Sequence, residues 1–245
     1  MICSLFHEGS GVGNQLHRYV MARVLALDKG YKFGMIYPEN WKGQSFMKLD
    51  MGVPVSNLED EFSERKIVNE KGVDIRPYDP RINYIKDNTL IDGEFQAEKY
   101  FEHRLDEVRE WLKVEPLDLP DDLCVIGFRG GEYVGVRDLF LTKDYWEEAI
   151  KMMKEINPYM EFEVHTDDPQ TARDFFPDFP IVHDVGLNWR SVRYAKYLII
   201  ANSSFYIFPA LLGEAKKIIA PFGWARRNIG IWALPQNEYK RFTHI

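Results

Sequence analysis

The residue types best suited to chemistry in this sequence stand just after predicted strands, and the first is an arginine. Arg129 lies in the segment GFRGGEY, residues 127–133, between a predicted strand and a pair of glycines. Glycines let the backbone come close to a ligand, and an arginine can donate two parallel hydrogen bonds to a phosphate. The structural alternative is a surface arginine paired with a nearby acid, which is a common arrangement.

Two adjacent carboxylates, Asp167 and Asp168, follow a later predicted strand. They could suggest a metal, but the spacing is not D-x-D and no other ligand cluster accompanies them, so no metal is expected. A carboxylate can also accept hydrogen bonds from the N–H edge of a guanine. The structural alternative is a cap for the helix that follows Pro169, and the two roles are compatible. The neighbouring His165 is expected to be structural.

A third segment, made of Asn202, Ser203, Ser204 and Phe205, lies between a buried-looking strand and an apolar helix. Serine hydroxyls and the free backbone N–H groups of a helix start can bind a phosphate. Ordinary helix capping is the alternative interpretation of the same residues.

A glycine-rich turn, residues 9–15 with the sequence GSGVGNQ, separates the first predicted strand from the first predicted helix. Such a turn lets a ligand approach the backbone, and the helix N-terminus favours anions. It is not the dinucleotide fingerprint G-x-G-x-x-G, because position 14 is Asn. The structural alternative is a tight turn that needs positive φ, with Asn14 as a helix cap.

The second half of the chain supplies the elements that would position most of these residues. Strand-like and helix-like segments alternate from the strand at 123–128 to the strand at 216–220, with one short helix predicted at 192–197. This alternation predicts a parallel sheet covered by helices on both faces. Ligands of such sheets bind at the carboxyl ends of the strands, which is where the motifs stand.

A linker is predicted at residues 114–122, because two prolines and four acidic residues there oppose regular structure. It would separate an N-terminal domain, residues 1–115, from a C-terminal domain, residues 121–245. The N-terminal domain is expected to contain an amphipathic helix over 97–113 and short elements with exposed loops over 40–90.

The composition and the hydropathy of the sequence argue against several classes of protein. The net charge of −7 disfavours a nucleic-acid binder, which is usually basic. No run of about 18 apolar residues is present, so no membrane-spanning segment is expected. The first eight residues are too short and too quickly charged for a signal peptide, and a cytoplasmic protein is predicted.

Several stretches resemble the α-1,2-fucosyltransferase family (glycosyltransferase family 11) and, more distantly, the protein O-fucosyltransferases and α-1,6-fucosyltransferases. The most specific is DGEFQAEKYF, residues 92–101, which resembles the family's GYFQSEKYF and is not dictated by secondary structure. The resemblance covers most of the chain outside residues 40–87. The other stretches are GVGNQL at 11–16, FRGGEYV at 128–134, the aspartates at 167–168, LIIANSSF at 198–205, and IAP at 219–221 with Trp224.

The resemblance implies an α/β GT-B-like fold, in which two Rossmann-like domains with parallel sheets face each other across a cleft. It implies transfer of fucose from GDP-fucose to a glycan hydroxyl, with inversion, an α-1,2 linkage, and no metal or other cofactor. Arg129 would bind the diphosphate and stabilise the departing GDP, and Asp167 or Asp168 would hold the guanine. The other residues implied to bind the donor are Gly13, Asn14, Asn202, Ser203, Ser204 and Phe205, with Asn14 reaching toward the phosphate or sugar.

The sequence departs from the family's arginine motif at three positions. Gly127 stands in place of a histidine, Gly130 in place of a second arginine, and Glu132 in place of an aspartate. These changes leave the acceptor, the linkage and the sugar open. They also leave the catalytic base open among Glu132, Asp138 and Glu8, and a transition state with oxocarbenium character could manage with a weak base or none.

Three other functions remain to be weighed against a fucosyltransferase. The first is a glycosyltransferase with another nucleotide-sugar donor. The second is a non-catalytic nucleotide- or glycan-binding module derived from a transferase. The third, an NAD-dependent dehydrogenase, rests only on glycine content and a Rossmann-like alternation, and lacks the fingerprint for it.

Overall fold

The computed structural model describes residues 1–68, 74–136, 139–222 and 239–245, and residues 68, 74 and 75 through their backbone alone. The chain divides into two units, one containing Met1–Lys113 and the other beginning at Val114. The division falls at the start of the segment predicted as a linker. Asp138 and Trp224, both named in the sequence analysis, lie outside the described residues.

The first unit contains a four-stranded parallel sheet in the order β2-β1-β6-β3. Helix α1 connects β1 to β2 and buries Leu16, Val20 and Val24, a spacing of four residues that follows one face of a helix. A second, two-stranded antiparallel sheet pairs β4 with β5. The elements are β1 (Ile2–Leu5), α1 (Val12–Lys29), β2 (Phe33–Ile36), β3 (Asp60–Ser63), β4 (Ile67–Val68), β5 (Asp74–Ile75), β6 (Thr89–Asp92) and α2 (Leu105–Trp111).

The continuous helix predicted over 97–113 is wrong in its first half. Two short 3₁₀ turns, Glu98–Tyr100 and Glu102–Arg104, precede α2, and Phe101 between them leaves helical geometry at φ −137° and ψ −3°. Tyr100 and Phe101 are both almost fully buried. In a straight α-helix, consecutive side chains point about 100° apart. The two 3₁₀ turns change these directions, and the rings of Tyr100 and Phe101 both lie in the core.

The second unit contains a six-stranded sheet in the order β12-β11-β10-β7-β8-β9, parallel throughout. This agrees with the predicted parallel sheet. The strands are β7 (Leu123–Phe128), β8 (Glu161–Thr166), β9 (Ile181–Val182), β10 (Tyr197–Ile200), β11 (Lys217–Ala220) and β12 (Thr243–His244). The helices are α3 (Lys143–Ile156), α4 (Pro169–Phe175), α5 (Val185–Tyr194) and α6 (Ser204–Leu212).

The side-chain patterns explain the central elements of this unit. Every residue of β7 is buried, which is typical of a strand inside a parallel sheet. Helix α3 is amphipathic and buries Trp146, Ala149 and Met153 on one face. Tyr145, also on α3, ties the helix to the sheet because its hydroxyl donates to the carbonyl of Ile200 at 2.7 Å.

The helix predicted at 192–197 has different bounds in the structure. Asp184 caps α5 by accepting a hydrogen bond from the backbone N–H of Leu187 at 2.7 Å, so the helix begins at Val185. It ends at Tyr194, and Tyr197 already belongs to β10. Strands β3 and β12 were not predicted, because each is short and only Phe62 of β3 is buried.

Helix α6 is the most apolar helix of the second unit and packs inside it. Its residues from Tyr206 to Leu212 are buried, and it is nine residues long. In the part of the chain that the structure describes, no helix has both the length and the apolar character needed to cross a membrane.

Candidate functional site

The sheet of the second unit brings three of the sequence motifs to one edge. Strand β7 ends one residue before Arg129, β8 ends one residue before Asp167, and β10 ends two residues before Asn202. These strands are neighbours in the order β10-β7-β8 and run in the same direction, so their carboxyl ends lie side by side. The expectation that these motifs lie together at the carboxyl ends of the strands is therefore confirmed for this unit, and ligand binding at this edge stays a prediction.

Arg129 is held at this edge by two carboxylates and an aromatic ring. Its Nη1 lies 2.6 Å from Asp167 Oδ2, and its Nη2 donates to Glu132 Oε1 at 2.9 Å. The guanidinium also lies over the ring of Tyr133, 5.2 Å from its centre. Burial opposes the charge, but Asp167 and Glu132 outweigh it and raise the pKa of Arg129, so the group stays a cation.

Two buried polar atoms at this edge have no hydrogen-bond partner among the described residues. They are Nε of Arg129 and Oδ1 of Asn202. Asn202 Nδ2 donates to the carbonyl of Leu139 at 2.9 Å, so its amide is held while its oxygen remains unpaired. Unpaired buried donors and acceptors are costly, and their occurrence together at a strand edge indicates a place where a ligand supplies the partners.

The glycines after Arg129 are required by the approach of the two aspartates. The N–H of Gly130 donates to Asp167 Oδ1 at 3.0 Å, and the N–H of Gly131 donates to Asp168 Oδ2 at 3.2 Å. A Cβ at Gly130 would lie 2.6 Å from the Cβ of Asp168, and Gly131 has a φ of +45°. A side chain at position 130 would therefore clash with Asp168 in this arrangement.

A similar contact explains the glycine at position 127. A Cβ on Gly127 would lie 2.8 Å from the ring of Tyr206, which is buried in α6. The hydroxyl of Tyr206 lies 3.0 Å from the carbonyl oxygen of Phe128 and 3.2 Å from that of His165, so it bridges the ends of β7 and β8. Burial raises the pKa of Tyr206 and keeps it a neutral donor. The sequence analysis missed Tyr206, which no motif marked.

Asp168 is the cap of α4, as the structural alternative predicted. Its Oδ1 accepts from the backbone N–H of Thr171 at 3.1 Å, and its Oδ2 accepts from the Thr171 hydroxyl at 2.6 Å. These hydrogen bonds, led by the one from the Thr171 side chain, lower the pKa of Asp168. Asp167 is about one-third exposed and binds Arg129 and Gly130. Among the described residues, no group of three His, Cys, Asp or Glu side chains could hold a metal ion.

The start of α6 lies at the same edge. Ser203 is its cap and accepts a hydrogen bond from the N–H of Phe205 at 3.4 Å. The first turn of α6 contains no acidic residue, so its N–H groups keep their affinity for an anion. Tyr133 also lies at this edge, and its hydroxyl donates a hydrogen bond to the carbonyl of Asn202 at 3.4 Å. Ser204 is half-buried here.

His165 is part of a buried network and not an exposed catalyst, as expected. Its Nε2 lies 2.7 Å from Glu163 Oε1 and its Nδ1 lies 3.0 Å from Asn188 Oδ1. Asn188 Nδ2 donates to the carbonyl of Thr166 at 3.1 Å, which fixes the orientation of its amide. The hydrogen bond to His165 lowers the pKa of Glu163.

The glycine-rich turn belongs to the first unit and leads directly into α1. Gly11 is the cap of α1, with no side-chain cap hydrogen bond, and the first turn contains no acidic residue. Asn14 lies inside the helix, so the interpretation of Asn14 as its cap is wrong. The Asn14 Oδ1 instead accepts from Gln96 Nε2 at 3.2 Å, while Gly13 is buried.

Beside this turn lies a charged cluster that the sequence analysis did not identify. Arg18, buried in α1, forms ion pairs with Asp92 and, at 3.5 Å, with Glu94. Asp92 ends β6, and its Oδ1 also lies 3.4 Å from Nε2 of His7, which follows β1. The available signal was an arginine between the apolar positions of α1 that predict its buried face, since a buried charge needs a partner.

Comparisons with known proteins identify structural neighbours. No protein-family model matches the sequence, and no curated protein matches it. E. coli heptosyltransferase WaaC with ADP is similar at a TM-score of 0.52 and 13% identity, covering 100% of this chain and 92% of that chain. The glycosyl transferase family 9 structure from Veillonella parvula DSM 2008 has a TM-score of 0.43 and 10% identity, covering 89% of this chain and 80% of that chain.

At these identities the likeness is one of fold. The neighbour with the TM-score of 0.52 is a glycosyltransferase, and this chain shares its α/β architecture of Rossmann-like units with parallel sheets. The predicted α/β, GT-B-like fold class is confirmed in this respect. That neighbour is a heptosyltransferase, so the sugar, the linkage and the individual site residues remain predictions.

Proposed function

We propose that this chain is a glycosyltransferase that moves fucose from GDP-fucose to a hydroxyl of a glycan, with inversion and without a metal. The observation that carries the proposal is Arg129, a cation held at the carboxyl end of β7 with its buried Nε–H unpaired. A cation of this kind and a helix N-terminus both favour a diphosphate, and the start of α6 provides that helix. The resemblance to the fucosyltransferase motifs is the basis for proposing fucose as the sugar and guanine as the nucleotide base.

Arg129 supplies the positive charge that the departing diphosphate needs. A guanidinium has five N–H donors, and the ion pairs with Asp167 and Glu132 engage only part of this set. The remaining donors can bind phosphate oxygens in a fork, while Ser203, Ser204 and the N–H of Phe205 hold the other phosphate. Fixed donors of this kind stabilise charge that develops in the transition state, so we expect transfer to proceed in the presence of EDTA.

Donor binding would redistribute the contacts of Asp167. Asp168 already accepts from Thr171 and Gly131, so its oxygens are committed to the helix cap. Asp167 is more exposed and is held by Arg129. When a diphosphate takes over the guanidinium, an oxygen of Asp167 becomes available for the N–H edge of a guanine. On the first unit, Gly13 and Asn14 would contribute to the phosphate or the sugar.

A second candidate keeps the reaction and changes the donor. The structural neighbour with the TM-score of 0.52 is a heptosyltransferase with ADP, which favours an ADP-sugar as the alternative. A non-catalytic binding module is less well supported. It was suggested by the glycines at 127 and 130, and these have steric causes in contacts with Tyr206 and Asp168.

The first test is thermal unfolding with GDP, ADP, UDP, CMP and NAD, each in EDTA. A ligand at about 100 times its Kd stabilises the folded state by about 2.7 kcal/mol. For a chain of this size that corresponds to a rise in Tm of roughly 5–10 °C. Stabilisation by GDP, followed by transfer from GDP-fucose in an oligosaccharide screen, supports the proposal. Stabilisation by ADP alone favours the second candidate, and no response to any nucleotide contradicts both.

The Arg129→Ala variant tests the residue that carries the proposal. Losing one transition-state donor lowers kcat by about 10²–10³, so transfer should nearly disappear while the fold persists. Arg109→Ala is the matched control, because Arg109 also forms an i,i+3 ion pair, with Asp106 at 2.5 Å, but lies on α2 of the first unit. Full activity of the Arg129 variant would remove Arg129 from the mechanism.

A further inference from the structure

Transfer to a hydroxyl requires a group that accepts the hydroxyl proton, and the following inference rests on the proposed function. The sequence analysis named Glu132, Asp138 and Glu8 for this role. Glu132 is bound by Arg129 at 2.9 Å, so taking up a proton would break an ion pair at the diphosphate site. Among the described residues, none forms a hydrogen bond or an ion pair with the exposed Glu8 carboxylate that would orient it. The neighbouring residue, His7, is a candidate base whose ring does have a carboxylate partner.

His7 and Asp92 form a hydrogen-bonded pair at the carboxyl edge of the first sheet. Nε2 of His7 lies 3.4 Å from Oδ1 of Asp92, and both side chains are accessible, at 44% and 39%. An ionised carboxylate only accepts hydrogen bonds, so it selects the ring form with the proton on Nε2. Nδ1 of His7 then carries a free lone pair, and no described residue is bonded to it.

Arg18 fixes this pair from the protein interior. Its side chain is 5% exposed and forms ion pairs with Asp92 and Glu94, one of which is at 3.5 Å. Burial alone would raise the pKa of Asp92, but Arg18, with help from His7, lowers it, so Asp92 remains an acceptor. The order Arg18, Asp92, His7 thus runs from a buried cation through a carboxylate to an accessible imidazole.

The position of the pair matches the edge where such sheets bind ligands. His7 follows β1 and Asp92 ends β6, and these two strands are neighbours in the parallel sheet. His7 lies just before the glycine-rich turn that leads into α1, and Asp92 pairs with Arg18 of that helix. Ligands of parallel α/β sheets bind outside the carboxyl ends of the strands. His103 and Asp28 form a comparable surface pair at 2.8 Å, but Asp28 lies in the last turn of α1, away from this edge.

We propose that His7 is the catalytic base and that Asp92 is its positioning residue. Nδ1 of His7 takes the proton of the acceptor hydroxyl as the acceptor oxygen forms a bond to the anomeric carbon. The bond between that carbon and the diphosphate oxygen breaks, and its electron pair leaves on the diphosphate of the released GDP. The imidazolium that forms is stabilised by Asp92 and later releases its proton to water.

The test compares His7→Ala with His103→Ala in the chain that is active in the donor screen. The readouts are GDP affinity, the KM for the acceptor found in the screen, and kcat with GDP-fucose, each with and without added imidazole. General base catalysis contributes about 10²–10⁴-fold, so kcat of His7→Ala should fall by about that factor. GDP affinity should stay unchanged, and imidazole should restore part of kcat. His103→Ala should behave as the unmodified chain.

Each outcome separates this inference from the proposed function. If the unmodified chain neither binds GDP nor transfers fucose, the proposed function fails and this inference falls with it. If the unmodified chain is active and His7→Ala keeps kcat within about threefold, far below the ~10²-fold of a lost base, only the inference is overturned. A loss of kcat that imidazole leaves unchanged also overturns it, because a structural role would behave in that way.

Asp92→Asn provides the second variant. An amide in place of the carboxylate no longer selects the ring form with the proton on Nε2. We expect a lower kcat, an unchanged affinity for GDP and no rescue by imidazole, because His7 is still present. Thermal unfolding of the Asp92→Asn variant checks that the protein still folds when buried Arg18 has lost this charged partner. An Asp92→Asn enzyme that folds and keeps its full kcat would contradict the positioning role.

Discussion

At the scale of single residues, the departures from the fucosyltransferase motif have physical causes in neighbouring side chains. Gly127 faces the ring of Tyr206, and Gly130 faces Asp168, each too closely for a Cβ. The space next to these two positions is occupied by side chains from α6 and from the start of α4. Arg129, between them, is held by ion pairs with Asp167 and Glu132.

The Gly127→Ala variant should be clearly destabilised. Its new methyl group would lie 2.8 Å from the Tyr206 ring, which is fixed by hydrogen bonds to two strand ends. Overpacking of this kind costs about 1–3 kcal/mol in the free energy of unfolding, which urea denaturation measures. Gly135→Ala is the control, because no atom lies within 4 Å of the position that its new methyl group would take. Equal stability of the two variants would contradict the steric explanation.

At the scale of elements, the starts of α4 and α6 combine a helix cap with the edge of the candidate ligand site. Asp168 caps α4 and also accepts from Gly131, so one carboxylate holds both the helix and the arginine loop. Ser203 caps α6 beside Asn202. The structure confirms that Asp168 is a helix cap, a role that the sequence analysis held compatible with a ligand contact, and the ligand contact itself stays a prediction.

The Asp168→Ala variant should lose about 1 kcal/mol of stability at pH 7, as helix caps typically do. The pKa of Asp168 is lowered in the folded state, so its contribution is complete above the unfolded-state pKa of about 3.9. It is lost as the pH falls through the lower folded-state pKa. Urea unfolding of both proteins should therefore show a difference at pH 7 that shrinks toward pH 3. A constant difference would show that the charge of Asp168 is unimportant.

At the scale of the whole molecule, each unit has its own parallel sheet and its own charged group at the carboxyl edge. The second unit presents Arg129 with the start of α6, which suits an anion. The first presents His7 and Asp92, which suit a hydroxyl. Under the proposed function, the second unit would bind the nucleotide and the first would activate the acceptor.

Hydrogen exchange with and without GDP tests the division. Protection should be strongest in segments 128–133, 166–171 and 201–206 of the second unit, where backbone N–H groups lie at the proposed phosphate and guanine contacts. Segment 103–112, which includes α2, should exchange equally in both states and serves as the internal control. Protection concentrated in segment 9–16 would place the nucleotide on the first unit and contradict the assignment.

Much of the second unit could be predicted from sequence because its signals are local. A fully apolar run predicted β7, an amphipathic pattern predicted α3, and an Asp before Pro169 predicted the cap of α4. The first unit was harder to predict. The break near Phe101 and the polar edge strand β3 depend on which side chains become buried, and this is a property of the whole core.

By itself, the sequence determined the alternation of strands and helices, the parallel sheet of the second unit and the position of Arg129 at a strand end, because hydrophobic periodicity and the succession of elements along the chain are properties of residues close in sequence. Only the tertiary structure decided the contacts between residues far apart in the chain. Arg18 meets Asp92 across 74 positions and Tyr206 reaches Phe128 across 78. Such contacts follow from the packing of helices on a sheet, which no local pattern specifies.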